Sequence, residues 1–294
     1  MGYAQHLRHQ LPVIAALGRT VVSALRTPAG LAPQTPGPER HSTLPPRPPE
    51  LVKDYLRHVG GEPAAYPGVL PPHFFPQWGF PLSAQALVGL PYPMAKVLNG
   101  GCRLEMNRPL PANEPLEVTA RLEKIDDDGR RAVIHTSVVT GTASAPRAVV
   151  AHLQAVVPLK PKEKGAPAKE PVRIPADALE LTRWRLRADA GLQFAQLTGD
   201  FNPVHWVKPY ARAFGFRSTI LHGFSTLARA FEGLTAYRLA GRPERLACLD
   251  VRFTRPLVLP QEVGLFVSGT SLWVGGARGG PAALAGTFTT KELQ

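Results

Sequence analysis

The feature that most constrains the fold of this chain is a strand–turn–strand pattern that occurs twice. The first copy contains Leu104-Glu-Met-Asn-Arg-Pro-Leu110, and the second contains Leu249-Asp-Val-Arg-Phe-Thr-Arg-Pro-Leu257. When both are aligned on Arg-Pro-Leu, each is followed by a further apolar strand pattern. Upstream, Trp78-Gly79-Phe80 takes the place that His222-Gly223-Phe224 has in the second copy. Such ordered self-similarity indicates a duplicated unit.

Each copy places a helix before a run of antiparallel strands. In the second copy the apolar residues that share one helical face are Phe224, Leu227, Ala228, Phe231 and Leu234. The strands predicted after this helix are Ala247–Phe253, Glu262–Gly269 and Ala282–Thr290. Those predicted in the first copy are Arg103–Asn107, Leu116–Ile125, Ala132–Val139 and Val149–Val157. This order predicts an α+β fold in which each unit wraps an antiparallel sheet around one central helix.

The length of 294 residues exceeds what one compact core usually holds, so two domains are expected. Proline-rich stretches, which disfavour regular structure, mark the tethers between them. We therefore predict an N-terminal extension and Pro-rich tether over 1–50, and a first unit over 51–160. A linker over 161–176 and a second unit over 177–294 complete the chain.

Composition excludes several classes of protein. The net charge of +12 suits a phosphate-bearing or acidic partner, but no nucleic-acid-binding fold accompanies it, so nucleic acid is not expected. No apolar run is long enough for an integral membrane segment. Two cysteines make neither a disulfide framework nor a metal quartet, and they fit a cytoplasmic protein. The stretch from His6 to Arg26 reads as an amphipathic helix or a floppy arm.

One stretch, Leu197-Thr-Gly-Asp-Phe-Asn-Pro-Val-His205, carries residues suited to chemistry. Asp200 and His205 cannot share a continuous helix, because Pro203 fixes its own φ and keeps Asn202 out of the α region. A turn therefore holds a carboxylate and an imidazole so that they can converge on one small molecule, most simply a water. Taken alone, Asp200 and Asn202 also fit ordinary turn residues before a proline.

The order Phe194-Ala-Gln-Leu-Thr-Gly-Asp-Phe-Asn-Pro-Val-His205, then Phe214-Gly-Phe216, then Ile220-Leu-His-Gly223 resembles the signature of MaoC-like dehydratases. These are the (R)-specific enoyl-CoA hydratases, also called hydratase 2 enzymes. For a chain with two copies, the resemblance implies a double hotdog fold. It also implies an acyl thioester as substrate. The first copy lacks Gly-Asp-x-Asn-Pro-x-His, so it is expected to bind the acyl group without performing chemistry.

The resemblance implies a role for each residue of the motif. Asp200 and His205 are expected to form the catalytic pair, and the backbone N–H of Gly223 to hold the thioester oxygen. Which member of the pair is the principal base stays open. Asn202 and Pro203 are expected to support the turn, and His222 to brace it.

Two further groups are candidates for substrate binding. Phe74, Phe75 and Trp78 would line an acyl channel, although aromatic clusters are more often core. Lys208 and Arg212 lie in a stretch without acidic residues and would meet the phosphates of coenzyme A or an acidic carrier protein.

The expected function is that of a hydro-lyase, which interconverts (R)-3-hydroxyacyl and trans-2-enoyl thioesters. No metal or redox cofactor is expected. Coenzyme A or carrier pantetheine would enter as part of the substrate. The partner would be acyl-CoA or acyl carrier protein, and the protein a monomeric double hotdog or a homodimer. Two alternatives remain: a hotdog acyl-CoA thioesterase and a non-catalytic acyl-binding subunit.

Overall fold

The protein is described by a computed structural model that covers residues 2–24, 33–94, 97–160 and 170–291. The described residues form two units with a similar order of elements. Part of the linker predicted over 161–176 lies outside the described residues, as does part of the tether predicted before residue 50.

The N-terminal unit, with the segment that precedes it, holds three α-helices and seven strands among its described residues. Its helices are α1 Leu7–Ala24, α2 Pro49–Val59 and α3 Pro76–Ala86. Its strands are β1 Arg40–Leu44, β2 Val69–Leu70, β3 Leu98–Met106, β4 Leu110–Pro111, β5 Leu116–Asp127, β6 Arg131–Gly141 and β7 Val149–Pro158.

The C-terminal unit holds three α-helices and five strands within the part of the chain that the structure describes. Its helices are α4 Ala190–Thr198, α5 Lys208–Ala213 and α6 Gly223–Arg238. Its strands are β8 Leu179–Leu186, β9 Leu246–Phe253, β10 Gln261–Ser268, β11 Ser271–Gly275 and β12 Ala282–Thr290.

Ten of the strands form one antiparallel sheet in the order β1-β5-β6-β7-β3-β9-β12-β11-β10-β8. This order is symmetric about the junction of β3 with β9, where Arg103 pairs with Asp250 and Leu104 with Leu249. Alignment on Arg-Pro-Leu makes Arg103 and Asp250 equivalent positions. Since each pairs with its own counterpart, a local twofold axis relates the two half-sheets. The predicted duplicated α+β arrangement is confirmed.

Each half-sheet packs around one central helix. Helix α3 contacts β1, β5 and β6, and α6 contacts β8, β9 and β12. Helix α6 follows the predicted apolar stripe, since Phe224, Leu227, Phe231 and Leu234 are all buried. At Gly233 a Cβ would lie 2.7 Å from the Leu265 side chain, so glycine lets this helix approach the sheet closely. The packing of α6 against the sheet therefore fixes the position of Gly223, the first residue of this helix.

The predicted boundary at residue 50 is wrong, because β1 pairs with β5 from Arg40 to Leu44 and belongs to the sheet. Its residues are largely exposed, as expected of an edge strand, so they lack the alternation that identifies a strand in a sequence. Helix α2 likewise begins within a proline-rich stretch. Pro49 takes its first turn, where a missing N–H leaves no hydrogen bond unmade.

The segment before β1 is helical rather than a floppy arm at its start, since α1 packs against α3 and α4. Near the other predicted tether, Arg173 bridges to Pro281, and the N–H of Ile174 donates to the carbonyl of Gly280. These last linker residues therefore belong to the C-terminal unit. No helix in the described ranges is both long and apolar enough to cross a bilayer.

A buried polar cluster joins the two units. Glu232 of α6 is 3% exposed, and one of its oxygens accepts hydrogen bonds from Tyr66 Oη at 2.5 Å and His73 Nε2 at 2.7 Å. Tyr55 Oη in turn donates to the His73 carbonyl at 2.9 Å. Tyr55, Tyr66 and His73 come from the N-terminal unit, so a single carboxylate of α6 satisfies donors that the other unit buries.

We expect Glu232→Ala to lower the free energy of unfolding by about 3–5 kcal/mol, because the partners of a buried carboxylate are left unpaired. Tyr237→Ala, at an exposed position of the same helix, should change it by less than about 0.5 kcal/mol. Urea unfolding at neutral pH measures both. If Glu232→Ala changed the free energy of unfolding as little as Tyr237→Ala, the cluster would not stabilise the contact between the two units.

Candidate active site

The turn between α4 and His205 is built from residues that end a helix and restrict the chain. Gly199 follows α4 with a φ of 84°, in the left-handed region that favours glycine. After Asp200, the side chain of Asn202 accepts a hydrogen bond from Val204 N–H at 3.2 Å. Pro203 then begins a short 3-10 turn that ends at His205. The Asn202 side chain thus accepts a backbone hydrogen bond within the turn.

The imidazole of His205 is oriented by a backbone carbonyl. Its Nδ1 lies 2.9 Å from the oxygen of Ile220, and since a carbonyl only accepts, Nδ1 carries the proton. That carbonyl is itself held, because Ile220 bridges to Val258 and Leu221 N–H donates to Leu257 at 2.8 Å. The Nε2 of His205 is consequently left with its lone pair available.

His222 links the two ends of the motif. Its Nε2–H donates to the backbone carbonyl of Asp200 at 2.9 Å, and its ring stacks on that of His205 with centroids 3.6 Å apart. Its Nδ1 is buried and has no hydrogen-bond partner among the described residues. The side chain therefore braces both Asp200 and His205.

These contacts bring the predicted pair together. Side-chain atoms of Asp200, His205 and His222 lie within 4.8 Å of one another. Two hydrogen bonds of about 2.8 Å to one water span such a separation. The Asp200 side chain keeps 18% of its surface exposed, so the carboxylate is reachable from outside the fold, whereas His205 is buried. The arrangement can hold one water between a carboxylate and an imidazole.

Burial sets the protonation of the two histidines. It lowers the pKa of His205 below its usual value of 6.5, while the nearby Asp200 carboxylate and the Ile220 carbonyl act in the opposite direction. Burial, together with the adjacent His205, lowers the pKa of His222 well below 6.5. Both imidazoles are thus neutral at pH 7, and the His205 ring is a proton acceptor there.

Gly223 is the first residue of α6, and its N–H donates to no acceptor among the described residues. A helix N-terminus presents such donors and a favourable dipole to an incoming oxygen. The equivalent Gly79 differs, because α3 begins earlier and the Gly79 N–H donates to Phe75 O at 2.7 Å. Of the two central helices, α6 therefore offers its glycine N–H to a ligand, and α3 does not.

Two aromatic side chains that the sequence did not single out as site residues lie near the start of α6, Phe253 beside Gly223 and Phe80 beside Phe224. A Cβ on Gly223 would lie 3.0 Å from the ring of Phe253, which is partly exposed at the end of β9. The ring of Phe224 lies 5.4 Å from that of Phe253 and 4.9 Å from that of Phe80. Both residues belong to the repeated pattern, but nothing in the sequence places them at the site, because only the packing of α6 against the sheet and α3 brings their rings to its first turn.

The predicted aromatic residues lie deeper. Phe74, Phe75 and Trp78 are 0–2% exposed and pack in the core. Of the three, Phe75 contacts the Phe224 ring, with centroids 5.8 Å apart. Substrate contact by these three residues stays a prediction.

The predicted basic residues lie on α5, immediately after the motif. Lys208 and Arg212 are both exposed there. Their neighbours Trp206, Tyr210 and Phe214 are exposed aromatic residues, between 39% and 53% accessible. A cationic and aromatic surface thus adjoins the turn that carries Asp200 and His205.

Asp200, His205 and His222 also form the cluster of the described residues that is spaced for a metal ion. His222 Nε2 carries the proton that it donates to the Asp200 carbonyl, so the lone pair of this ring lies on Nδ1, which is buried. The absence of a metal in the reaction stays a prediction.

The fold is that of double hotdog proteins. The structure of HtdX from Mycobacterium tuberculosis matches with a TM-score of 0.67 and 20% identity, covering 86% of this chain and 100% of that one. The structure of RV0216 from the same organism, described as a double hotdog fold, matches with a TM-score of 0.54 and 12% identity. It covers 88% of this chain and 97% of that one.

Sequence comparison gives the family. Residues 163–280 match the model of the MaoC like domain. The 3-hydroxyacyl-thioester dehydratase X of Mycobacterium tuberculosis is 28% identical over 83% of this chain and 87% of its own length. The peroxisomal enoyl-CoA hydratase 2 of Arabidopsis thaliana is 26% identical over 65% of this chain and 64% of its own length. The resemblance to MaoC-like dehydratases is thus confirmed, with the domain match in the C-terminal unit, and so is the expectation of a hydro-lyase.

The contact between Asp200 and His205 is testable without an activity assay. In Asp200→Asn, the carboxylate that raises the pKa of His205 is lost, so this pKa should fall further below 6.5. Titration of the His205 ring resonance by NMR measures it. Asp189→Asn, at the other end of α4, is the control and should leave the pKa unchanged. An unmoved His205 titration in Asp200→Asn would show that the two groups do not face each other.

Proposed function

We propose that this protein reversibly hydrates trans-2-enoyl thioesters to (R)-3-hydroxyacyl thioesters, with Asp200 and His205 as its catalytic pair. The observation that carries the proposal is the proximity of the two side chains, whose polar atoms lie within 4.8 Å of one another, a separation that two hydrogen bonds to one water can span. The names of the relatives, a dehydratase and an enoyl-CoA hydratase, support the same reaction class.

In the hydration direction, Asp200 and His205 hold the water, and His205 Nε2 accepts one of its protons as the oxygen bonds to C3. The pair then delivers a proton to C2, so the enzyme returns to its starting state and one water is consumed. The negative charge that develops on the thioester oxygen is stabilised by the Gly223 N–H. Dehydration follows the same steps in reverse.

The neutral state of His205 suits this role. A base that is already protonated cannot take a proton from water, and burial keeps the pKa of this imidazole below 6.5. Its Nδ1–H, held by Ile220, leaves Nε2 as the accepting atom. His222 acts as a brace, since it is buried and its Nε2–H already donates to the Asp200 carbonyl.

The N-terminal unit is proposed to bind the acyl group without chemistry of its own. Its central helix uses the N–H of Gly79 within its own hydrogen bonds. We propose that Phe253, beside Gly223, and Phe80, beside Phe224, contact the acyl group near the thioester. The boundaries of the acyl-binding unit and of the catalytic unit are best drawn at Arg40–Pro158 and from Val172 onward, because the first and last paired segments lie there.

We propose that no metal or redox cofactor takes part, because water addition to a conjugated thioester needs only a proton acceptor, a proton donor and an oxyanion donor. We also propose a cytoplasmic location, since Cys102 and Cys248 are free thiols. A monomeric double hotdog or a homodimer remains the expected state, to be measured by light scattering.

The reaction is tested with crotonyl-CoA, by following the loss of the absorbance of the conjugated thioester. Asp200→Asn and His205→Gln should each lower kcat by about 10²- to 10⁴-fold, because each removes a positioned proton-transfer group. Asp189→Asn is again the matched control. Chiral analysis of the product should give the (R)-3-hydroxy compound.

Two outcomes would favour the alternatives. Release of free thiol from the thioester, in place of hydration, would identify a thioesterase. Hydration at the wild-type rate by Asp200→Asn would leave the motif without a catalytic role and favour an acyl-binding subunit.

The exposed surface of α5 is a candidate site for binding the carrier of the acyl group. We propose that Lys208 and Arg212 meet the phosphates of coenzyme A or the acidic surface of a carrier protein. Lys208→Ala/Arg212→Ala should raise KM for crotonyl-CoA and leave kcat unchanged, because the charges bind a distant part of the substrate. With crotonyl-pantetheine, which lacks the nucleotide phosphates, KM should be the same for variant and wild type. An equal rise in KM for both substrates would contradict a phosphate contact.

A further inference from the structure

Helix α1 contacts the catalytic unit at the residues that immediately precede Asp200. The side chain of Gln10 is fully buried, and its Nε2 donates to the carbonyl of Leu197 at 2.9 Å. The Oε1 of Gln10 accepts from Nε2 of Gln77 in α3 at 3.2 Å. One glutamine thus connects the N-terminal segment, the central helix of the first unit and the end of α4.

The next turn of α1 contacts the residue that ends α4. Val13 is 3% exposed, and a Cβ on Gly199 would lie 2.6 Å from its Cβ. Gly199 also has a φ of 84°, so both its backbone conformation and the approach of Val13 require glycine. Asp200 is the next residue along the chain.

The contact with Gln10 supplies a hydrogen-bond donor to a carbonyl at the C-terminal end of α4. The last carbonyls of a helix have no partner within that helix, and a buried one must find a donor elsewhere. Gln10 provides that donor to Leu197. Beyond the turn, His222 Nε2–H holds the carbonyl of Asp200. The backbone of the catalytic carboxylate is therefore held from two sides, by α1 before it and by α6 after it.

Among the side chains of α1 that the structure describes, Gln10, Val13 and Ala16 are buried on one side, whereas Leu11 is 63% exposed. The residues that meet α4 are thus the same ones that attach the helix to the fold.

We propose that α1 is part of the active site, with Gln10 and Val13 as positioning residues that hold the Gly199–Asp200 turn in its catalytic orientation. The proposal rests on the proposed role of Asp200. It assigns a function to the segment that precedes the duplicated units.

Gln10→Leu keeps the approximate size of the side chain and removes the donor to Leu197. We expect kcat for crotonyl-CoA to fall by about 10- to 100-fold with KM within about twofold of wild type, because displacement of a catalytic group affects the chemical step. The same loss is expected for a longer enoyl-CoA. Leu11→Ala, exposed on the same helix, is the control and should leave kcat and KM unchanged.

The second readout is independent of turnover. If the turn moves, the Asp200 carboxylate no longer faces His205, so the NMR-measured pKa of His205 in Gln10→Leu should fall toward the Asp200→Asn value. A substitution that merely loosens the fold lowers the melting temperature without moving this titration. Should Gln10→Leu not fold, Val13→Ala serves instead, with the same two readouts and a smaller effect.

The two proposals fail separately. Wild-type protein that does not hydrate enoyl thioesters, or Asp200→Asn with full activity, contradicts the proposed function, while the His205 titration still reports the position of Asp200. If Asp200→Asn abolishes hydration but Gln10→Leu and Val13→Ala match Leu11→Ala in both kcat and the His205 pKa, α1 has no positioning role.

Discussion

The pairing of β3 with β9 is the interaction on which the rest of the structure depends. It joins two half-sheets into one, with Arg103 opposite its own counterpart Asp250. Once the sheet is continuous, the two central helices lie within one core, where a hydrogen bond can cross from Tyr66 to Glu232. A sheet that ended at β3 would expose an edge and leave α6 without the donors that surround its carboxylate.

The duplication is symmetric in the sheet and asymmetric at the helix N-termini. Gly79 and Gly223 are equivalent in the repeat, yet the N–H of Gly79 is used inside α3, whereas the N–H of Gly223 has no acceptor among the described residues. Helix α3 begins before Gly79, so the Gly79 N–H is used within the helix. Helix α6 begins at Gly223, so the Gly223 N–H stays free to donate. A shift in the start of one helix is therefore enough to separate a structural unit from one that can stabilise an oxyanion.

The sequence predicted the parts of the fold that rest on local pattern. Helix α6 and the strands β5, β6, β7, β9, β10 and β12 were recognised within a few residues of their ends. The edge strand β1 was missed because its exposed residues give no alternation of apolar and polar side chains. Helix α2 was missed because it begins in a proline-rich stretch, where Pro49 occupies the first turn, a position that tolerates proline. At the site, the motif predicted Asp200 and His205. Phe253 carried no signal, since it lies far from the motif in the sequence.

What the sequence by itself determined is the chemistry available: a carboxylate and an imidazole on a turn that Pro203 keeps from becoming a helix, in one copy of a repeated unit. Only the tertiary structure decided which nitrogen of His205 is free, because Ile220 reaches it from a distant segment. It also decided that Gln10 holds the end of α4. Both depend on backbone carbonyls, which every residue carries alike, so side-chain identity cannot reveal which carbonyl a donor will meet.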